Sequence, residues 1–314
     1  YWEIYTQGGG IAHSSGRTTT SLTSYQPPLG VVTGLQSVRV RYESNTGRLS
    51  EWSQLVNYVG EPASKGFGKY LSVAHTASPQ ITNYGIDINN FVNISPVGEP
   101  LTGNGMATVI SPNGDYMAVL LAASPYIAIY KRDGDTFTRL PSPENLPTGN
   151  GLGAAFSPDS NTLVVSHVAS PFITIYSRSG DTFTKIPNPE TLPTGDSFSA
   201  SFAPSGSHLA VTHLNTPFVT IYSRSGNTFT KLPNPSVLPT GISRTAAFSQ
   251  DGNLLVIGHS TTPFMTVYSR SGNTFTKLTN PASLPTGIVQ GVAFSPDGTL
   301  LATSQSTSPY INLY

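Results

Sequence analysis

Apolar and polar residues alternate in short runs along most of the chain, and the runs recur in the same order. Residues 153–156 and 163–167 are apolar or β-branched segments, and residues 172–177 alternate Phe, Thr and Tyr with Ile, Ile and Ser. A fourth run, at 182–186, follows the turn signal Gly180-Asp181. Because proline or glycine recurs within every stretch of about ten residues, the pattern predicts four β-strands and no helix of useful length.

This four-strand pattern repeats with a fixed period of 46 residues. Tyrosines keep the period from Tyr84 to Tyr314 and prolines from Pro79 to Pro309. Tandem units of four short strands are the sequence form of β-propeller blades, in which each blade provides hydrophobic cover for the next. We therefore predict an all-β fold, with a propeller over residues 61–314.

The number of blades can be estimated by counting predicted strands. Second and third strands occur in six pairs, whereas the fourth strand occurs five times. We expect six blades, with seven as the alternative. A six-bladed ring would take its missing strand from around Leu55–Val59, and a seventh blade would require the natural protein to run past Tyr314.

Residues 1–60 lack the period. The YWEIYT segment at the start alternates, as does VRVRYES from Val38, and Trp52 lies in SEWSQLVNYV. These segments resemble the third, sixth and last strands of a fibronectin type III domain, which implies an incomplete β-sandwich acting as a spacer. The chain begins at Tyr1 without a methionine or a signal-peptide pattern, so we interpret it as a fragment or a processed chain.

Composition excludes several classes of function. The 16 basic residues balance 16 acidic ones and only 10% of residues are charged, so the chain lacks the basic footprint of a nucleic-acid-binding protein. No apolar run reaches the length of a membrane span, so we expect no membrane insertion. With no cysteine, the chain has no disulfide and no thiolate metal site. We also find no phosphate loop, no G-x-S-x-G and no H-E-x-x-H, and we predict no cofactor and no metal.

Two phrases of the repeat resemble known propellers. FSPDG at 294–298, followed by LATSQ and the closing INLY, is similar to WD-repeat-like propellers, although Ile175-Tyr176 and its equivalents replace the Trp-Asp pair. The phrase SPFITIYSRSGDTFTKIPNP, starting at Ser170, resembles tandem propeller repeats of bacteriophage tail-associated and prophage proteins. The second resemblance implies a virion component.

Several polar residues share the period and invite a functional interpretation. Four histidines end the second strand at the same phase of the repeat: His75, His167, His213 and His259, with Leu121 and Gln305 at the two remaining equivalent positions. They could form a polar ring that contacts a ligand, or each could pack between blades and bond a neighbouring loop. Equivalent positions of a ring lie too far apart to share a metal ion. We interpret the in-phase arginines after the third strand, and the turn aspartates Asp159, Asp251 and Asp297, as structural.

The copies differ most where the chain enters the innermost strand. This segment reads Asn-Gly-Met, Asn-Gly-Leu, Asp-Ser-Phe, Ile-Ser-Arg and Ile-Val-Gln in successive repeats. Such divergence at the channel rim indicates either a ligand-binding site or a position where the fold simply tolerates different residues. Asp196, Phe198, Arg244 and Gln290 are the residue types that a sugar or polar-peptide site would use, and with the histidines they form our candidate ligand-binding set.

From the phage resemblance and the lack of a catalytic constellation we predict a non-enzymatic structural or adhesive component of a phage tail. Its propeller would bind protein or glycan for host attachment or tail decoration. We expect a virion, extracellular location, partners among tail proteins and host-surface glycans or proteins, and a homo-oligomer within a larger assembly. Two alternatives stay open: a propeller hydrolase or lyase acting on a glycan or lactone, and a bacterial cell-surface adhesin.

Overall fold

The computed structural model describes residues 101–314, except 102 and 135, together with the backbone of seven earlier strands. The chain divides into two compact units, one of residues 1–71 with 83–94 and the other of residues 72–82 with 95–314. The domain boundary predicted at residue 60 stays a prediction.

Four antiparallel strands form the first sheet, in the order β2-β1-β3-β4. They are Trp2–Tyr5 (β1), Ile11–Ser14 (β2), Leu35–Val40 (β3) and Val56–Val59 (β4). In this sheet Val38 of β3 lies opposite Val56 of β4. The prediction that the strand near Leu55–Val59 completes a blade is therefore wrong, because that strand pairs with β3. The resemblance of this segment to fibronectin type III stays a prediction.

A three-stranded sheet follows, in the order β5-β6-β7. Its strands are Tyr70–Ala74 (β5), Ile81–Asp87 (β6) and Asn90–Ile94 (β7). With Tyr84 in β6 on the 46-residue period, these three described strands correspond to the second, third and fourth strands of a repeat.

Five successive blades make up the propeller, and each is an antiparallel meander in chain order. Blade I comprises Gly105–Ile110 (β8), Tyr116–Leu121 (β9), Ile127–Asp133 (β10) and Thr136–Arg139 (β11). Blade II comprises Gly151–Phe156 (β12), Thr162–His167 (β13), Ile173–Ser179 (β14) and Thr182–Lys185 (β15). Blade III comprises Ser197–Phe202 (β16), His208–His213 (β17), Val219–Ser225 (β18) and Thr228–Lys231 (β19). Blade IV comprises Ser243–Phe248 (β20), Leu254–His259 (β21), Met265–Ser271 (β22) and Thr274–Lys277 (β23). Blade V has three strands, Val289–Phe294 (β24), Leu301–Gln305 (β25) and Ile311–Leu313 (β26).

The all-β propeller of four-stranded blades is confirmed, but the predicted count of six or seven blades is wrong. Inner strands of successive blades lie in contact, from β8 through β12, β16 and β20 to β24. Among the described residues, an inner strand occurs in five blades. Counting pairs of second and third strands added β5 and β6, whose sheet has three described strands.

The hydrophobic core lies between blades rather than within them. Ile127 and Leu120 of blade I share one cluster with Phe156, Tyr176 and Phe183 of blade II. Comparable clusters join blades II and III and blades III and IV. Each blade thus buries its faces only by stacking on its neighbours, as the repeat predicts.

The tyrosine that marks the period is buried and also fixes the connector between blades. Tyr176, Tyr222 and Tyr268 are fully buried. Each hydroxyl donates to a connector carbonyl; that of Tyr222 reaches the carbonyl of Thr191 at 2.9 Å. Burial raises the pKa of all three phenols. One residue type therefore supplies both apolar volume between blades and a hydrogen-bond donor to the connector.

Close packing of inner strands yields a first prediction, the replacement Gly153→Ala. A β-carbon at Gly153 would collide with the carbonyl oxygen of Phe198 and lie 3.0 Å from the Cα atom of Ser199, both backbone atoms of the next inner strand. We expect a loss of about 1–3 kcal/mol in the free energy of unfolding, measured by chemical denaturation. Gly291→Ala is the matched control, because its β-carbon would meet only the Ser304 hydroxyl, at 2.8 Å, which can rotate away. Equal losses in the two variants would contradict this packing.

Candidate functional site

Every inner strand carries a β-bulge at its first residues. In β20, Ser243 lies opposite His259 and Thr245 opposite Gly258, so Arg244 has no opposite residue. The same shift occurs in the other four inner strands. The five bulged residues, which we name the bulge ring, are Met106, Leu152, Phe198, Arg244 and Gln290. A bulge re-aims its side chain away from the ladder and is common beside active sites.

The bulge ring coincides with the segment where the repeats differ most in sequence. Its first three members are apolar and its last two are polar. Met106 is 41% exposed, Gln290 is exposed, and the other three are partly buried. Three predicted site residues, Phe198, Arg244 and Gln290, belong to it. Sequence reasoning missed the bulge itself, and so did not include Met106 and Leu152 among the site residues.

Arg244 is an uncompensated cation in this ring. The centre of its guanidinium lies 4.6 Å from the centroid of the Phe198 ring, so the two bulged side chains of blades III and IV are in cation–π contact. Its Nε is buried and has no hydrogen-bond partner among the described residues. A buried N–H without an acceptor is costly, so this group is available to an acceptor that none of the described residues provides. The site can therefore bind an anion, or stabilise negative charge that develops on an oxygen.

Asp196 lies two residues before the bulge of blade III. Its backbone carbonyl accepts from the N–H of Leu214 at 3.0 Å, which fixes this segment against the loop between the second and third strands. Its Oδ1 accepts a long bond, 3.4 Å, from the N–H of Ala169 in blade II. Asn104, Asn150, Ile242 and Ile288 hold the equivalent positions, so among these five equivalent rim positions Asp196 is the one carboxylate.

The in-phase histidines have a structural role. In each of three blades the imidazole Nε2 bonds the threonine seven residues later: His167 with Thr174 at 3.0 Å, His213 with Thr220 at 2.9 Å and His259 with Thr266 at 3.0 Å. All three histidines are fully buried. Of the two interpretations, the structure therefore favours packing with loop and strand bonds over ligand contact. His75 lies outside the described residues.

Burial also sets the protonation of these histidines. It lowers the pKa of His167, and it lowers the pKa of His213 and of His259 to about 4. Near neutral pH the imidazoles are therefore neutral, and their hydrogen bonds to threonine join two uncharged groups.

This leads to a prediction about acid stability. Between pH 6.5 and 4 the unfolded chain protonates His213 and His259 while the folded chain does not, so stability should fall as the pH falls through this window. At pH 4, the lower end of this window, the loss in the free energy of unfolding should reach about 3 kcal/mol for each histidine. Gln305 holds the equivalent position in blade V and bonds the Thr286 backbone N–H at 2.9 Å, so glutamine is a tolerated, non-titrating replacement.

The experiment compares urea denaturation of the wild type and of the double variant His213→Gln/His259→Gln at pH 7.5 and pH 4.5. The double variant should lose much less stability on acidification. An equal loss in both proteins would show that other groups cause the acid sensitivity.

The opposite face of the blades carries the in-phase arginines and turn aspartates, which form contacts of the kind that a structural role requires. Arg178 donates from Nε to the carbonyl of Ser160 at 2.9 Å, and the guanidinium of Arg224 lies 5.9 Å from the centroid of Phe229. Asp159 and Asp251 each accept the backbone N–H two residues later, at 3.0 Å. The hydrogen-bonding groups of these residues are therefore used within turns and in contacts between blades.

The described part of the chain contains no group of three or more histidine, cysteine or acidic side chains that could hold a metal ion. It contains no helix that is long and apolar enough to cross a membrane.

Comparison with known proteins shows the fold. No protein-family model and no curated protein matches the sequence. Solved structures match over most of their length. A candidate 6-phosphogluconolactonase from Bacteroides uniformis has a TM-score of 0.66 at 15% identity, covering 91% of this chain and 89% of its own. A second, from Bacteroides fragilis, has a TM-score of 0.62 at 12% identity, with 80% and 79% covered. The periplasmic gluconolactonase PpgL of Pseudomonas aeruginosa has a TM-score of 0.56 at 16% identity, with 75% of each chain covered.

These neighbours correct the functional prediction. All three are described as lactonases, which are hydrolytic enzymes, and no phage tail protein is among them. The predictions of a non-enzymatic chain and of a structural or adhesive phage-tail component are therefore contradicted, and the enzymatic alternative is favoured. The virion location, the tail and host partners and the homo-oligomer stay untested. At these identities the comparisons establish that this chain has the propeller fold of those proteins.

Proposed function

We propose that this protein is a hydrolase of sugar lactones and that its substrate binds at the bulge ring. The observation that carries the proposal is Arg244, a partly buried cation on a bulge of an inner strand, whose Nε finds no acceptor within the described part of the chain. Hydrolysis of a lactone builds negative charge on the carbonyl oxygen as water adds to the carbonyl carbon. A fixed guanidinium stabilises that charge in the transition state more than in the ground state.

The residue types of the ring also suit a sugar. Met106, Leu152 and Phe198, on blades I, II and III, would offer carbon-rich surface to the faces of a pyranose. Gln290 adds an amide that can donate to and accept from sugar hydroxyls. Small-molecule sites commonly combine such an apolar lining with a few polar groups that set orientation.

Asp196 is the group we assign as general base. Its carboxylate accepts only one long hydrogen bond from the described residues, so it has capacity to accept a proton from water. The water oxygen adds to the carbonyl carbon, and the tetrahedral intermediate then expels the ring oxygen. The proton held by Asp196 passes to that oxygen, and the product is an open-chain aldonic acid, which ionises.

The direct test is acid release from gluconolactone and from 6-phosphogluconolactone at neutral pH, followed with a pH indicator against spontaneous hydrolysis. The proposal predicts turnover of at least one of these lactones by the purified chain. Rates equal to the spontaneous rate for both, and for a wider set of sugar lactones, would overturn it.

A further inference from the structure

An aromatic residue occupies the same place in the loop between the second and third strands of every blade. We name these five residues the aromatic collar: Tyr126, Phe172, Phe218, Phe264 and Tyr310. Each follows a cis proline and has a positive φ, between 63° and 67°. Neither the proposed lactone chemistry nor the core uses them.

The backbone of these loops has no need for an aromatic residue. Positive φ is strained for a bulky side chain and free of strain for glycine. The loop holds the conformation through its own bonds: the N–H of Phe218 donates to the Asn215 carbonyl at 2.7 Å, and its carbonyl accepts from the N–H of His213 at 2.9 Å. Five repeats nevertheless place Phe or Tyr there. Backbone strain that recurs in this way is typical of functional positions.

The collar side chains are not explained by core packing either. None of them belongs to the hydrophobic clusters that join the blades. Tyr310 is 62% exposed, and the other four are partly exposed. The described part of the propeller therefore presents an aromatic surface in each blade on one face.

Collar loops are polar but uncharged. Their five-residue segments read AASPY, VASPF, LNTPF, STTPF and STSPY, so aromatic rings alternate with hydroxyl and amide groups and no charge is present. A polyanion such as nucleic acid requires lysine or arginine to neutralise its phosphates. Aromatic faces with neutral hydrogen-bonding groups instead match a chain of uncharged pyranose rings, which offer carbon–hydrogen faces and hydroxyl edges.

Hydrogen bonds attach the collar loops directly to the bulge ring. In each repeat, the first N–H of the loop donates to the carbonyl two residues before the bulge. Leu214 donates to Asp196 and Ser260 to Ile242, both at 3.0 Å. The collar loops and the segments that enter the bulges therefore lie next to each other at the same end of each blade.

We propose that the aromatic collar binds a neutral oligosaccharide chain, so that the substrate at the bulge ring is the lactone at the end of such a chain. This inference rests on the proposed function and specifies its substrate class. The lactone ring would contact Arg244 and Phe198, and the sugars that follow it would stack on the collar.

The test measures binding of cellohexaose, maltohexaose and chitohexaose to the full chain by isothermal titration calorimetry. None of these probes is a lactone, so binding does not depend on catalysis. We expect at least one hexaose to bind, and the triple variant Phe172→Gly/Phe218→Gly/Phe264→Gly to bind it at least tenfold more weakly. Glycine suits the positive φ of the loops, so the variant should still fold, which thermal unfolding monitors. The matched variant with tyrosine at the same three positions should bind within threefold of the wild type, because Tyr126 and Tyr310 already serve there.

Lactone assays separate this inference from the proposed function. The triple glycine variant should hydrolyse gluconolactone at the wild-type rate and lose at least tenfold in kcat/KM on the lactone of the hexaose that binds. Failure of all three hexaoses to bind, or equal binding by the wild type and the glycine variant, would overturn the collar assignment even if gluconolactone is hydrolysed. Collar-dependent hexaose binding without any lactone hydrolysis would overturn the proposed function and leave the collar as a sugar site.

Discussion

Replacing Arg244 by methionine is expected to lower kcat/KM on the preferred sugar lactone by about 10²–10³-fold, while the fold is retained. Removal of one group that stabilises a developing oxyanion has this order of effect. The folded state should tolerate the change, because methionine keeps the contact with Phe198 and removes a buried N–H that has no acceptor. The measurement is steady-state kinetics on the purified variant, with circular dichroism to verify folding.

Two companion variants make this result specific. Lys231→Met removes a cation from the outer strand β19, where its Nζ bonds the carbonyl of Leu232, and should leave the kinetics unchanged. Asp196→Asn should lower kcat/KM by about 10²–10⁴-fold, because an amide cannot act as a general base. Wild-type kcat/KM in the Arg244→Met protein would exclude the bulge ring as the site of chemistry.

Tyr222→Ala should cost about 3–5 kcal/mol in the free energy of unfolding, the largest stability effect we expect from a single replacement. Tyr222 is fully buried between blades II and III and bonds the Thr191 carbonyl. Alanine would leave a cavity and would remove the hydrogen-bond donor of the Thr191 carbonyl. The measurement is urea denaturation with both fluorescence and circular dichroism.

Two further variants separate the contributions of the buried ring and of the hydroxyl to stability. They are Tyr222→Phe and Tyr310→Ala. Phenylalanine keeps the ring and removes only the hydroxyl, so the loss should be about 1 kcal/mol. Tyr310 is 62% exposed, so its replacement by alanine should change the free energy of unfolding little. If Tyr222→Ala were no more destabilising than Tyr310→Ala, the packing between blades could not be as described.

Much of the fold could be predicted from the sequence because the repeat makes packing periodic. Tyr176, Tyr222 and Tyr268 occupy identical environments, so their spacing alone predicts a stack of like units. The number of blades could not be obtained by counting second and third strands, since β5 and β6 carry the same pattern in a sheet that has three described strands. Val56–Val59 looked like a free strand, and only the pairing with β3 shows where its hydrogen bonds go.

The candidate site was only partly predictable for a related reason. Divergence among the repeats predicted Phe198, Arg244 and Gln290 as site residues. These positions can vary because they lie outside the packing between blades that keeps other positions of the repeat constant. Two features were invisible in the sequence: the bulge that re-aims each side chain, which is a matter of register, and the missing partner of the Arg244 Nε, which depends on all its neighbours. Periodic histidines looked equally functional, and their bonds to threonine across two strands explain them structurally.

The decisive measurement is a crystal structure of the protein with a lactam analogue of gluconolactone, which keeps the ring carbonyl but resists hydrolysis. We predict that the analogue lies on the bulge ring, with its carbonyl oxygen within hydrogen-bond distance of the Arg244 guanidinium and its ring against Phe198. Binding at any other place on the propeller, with Arg244 still without an acceptor, would contradict the account.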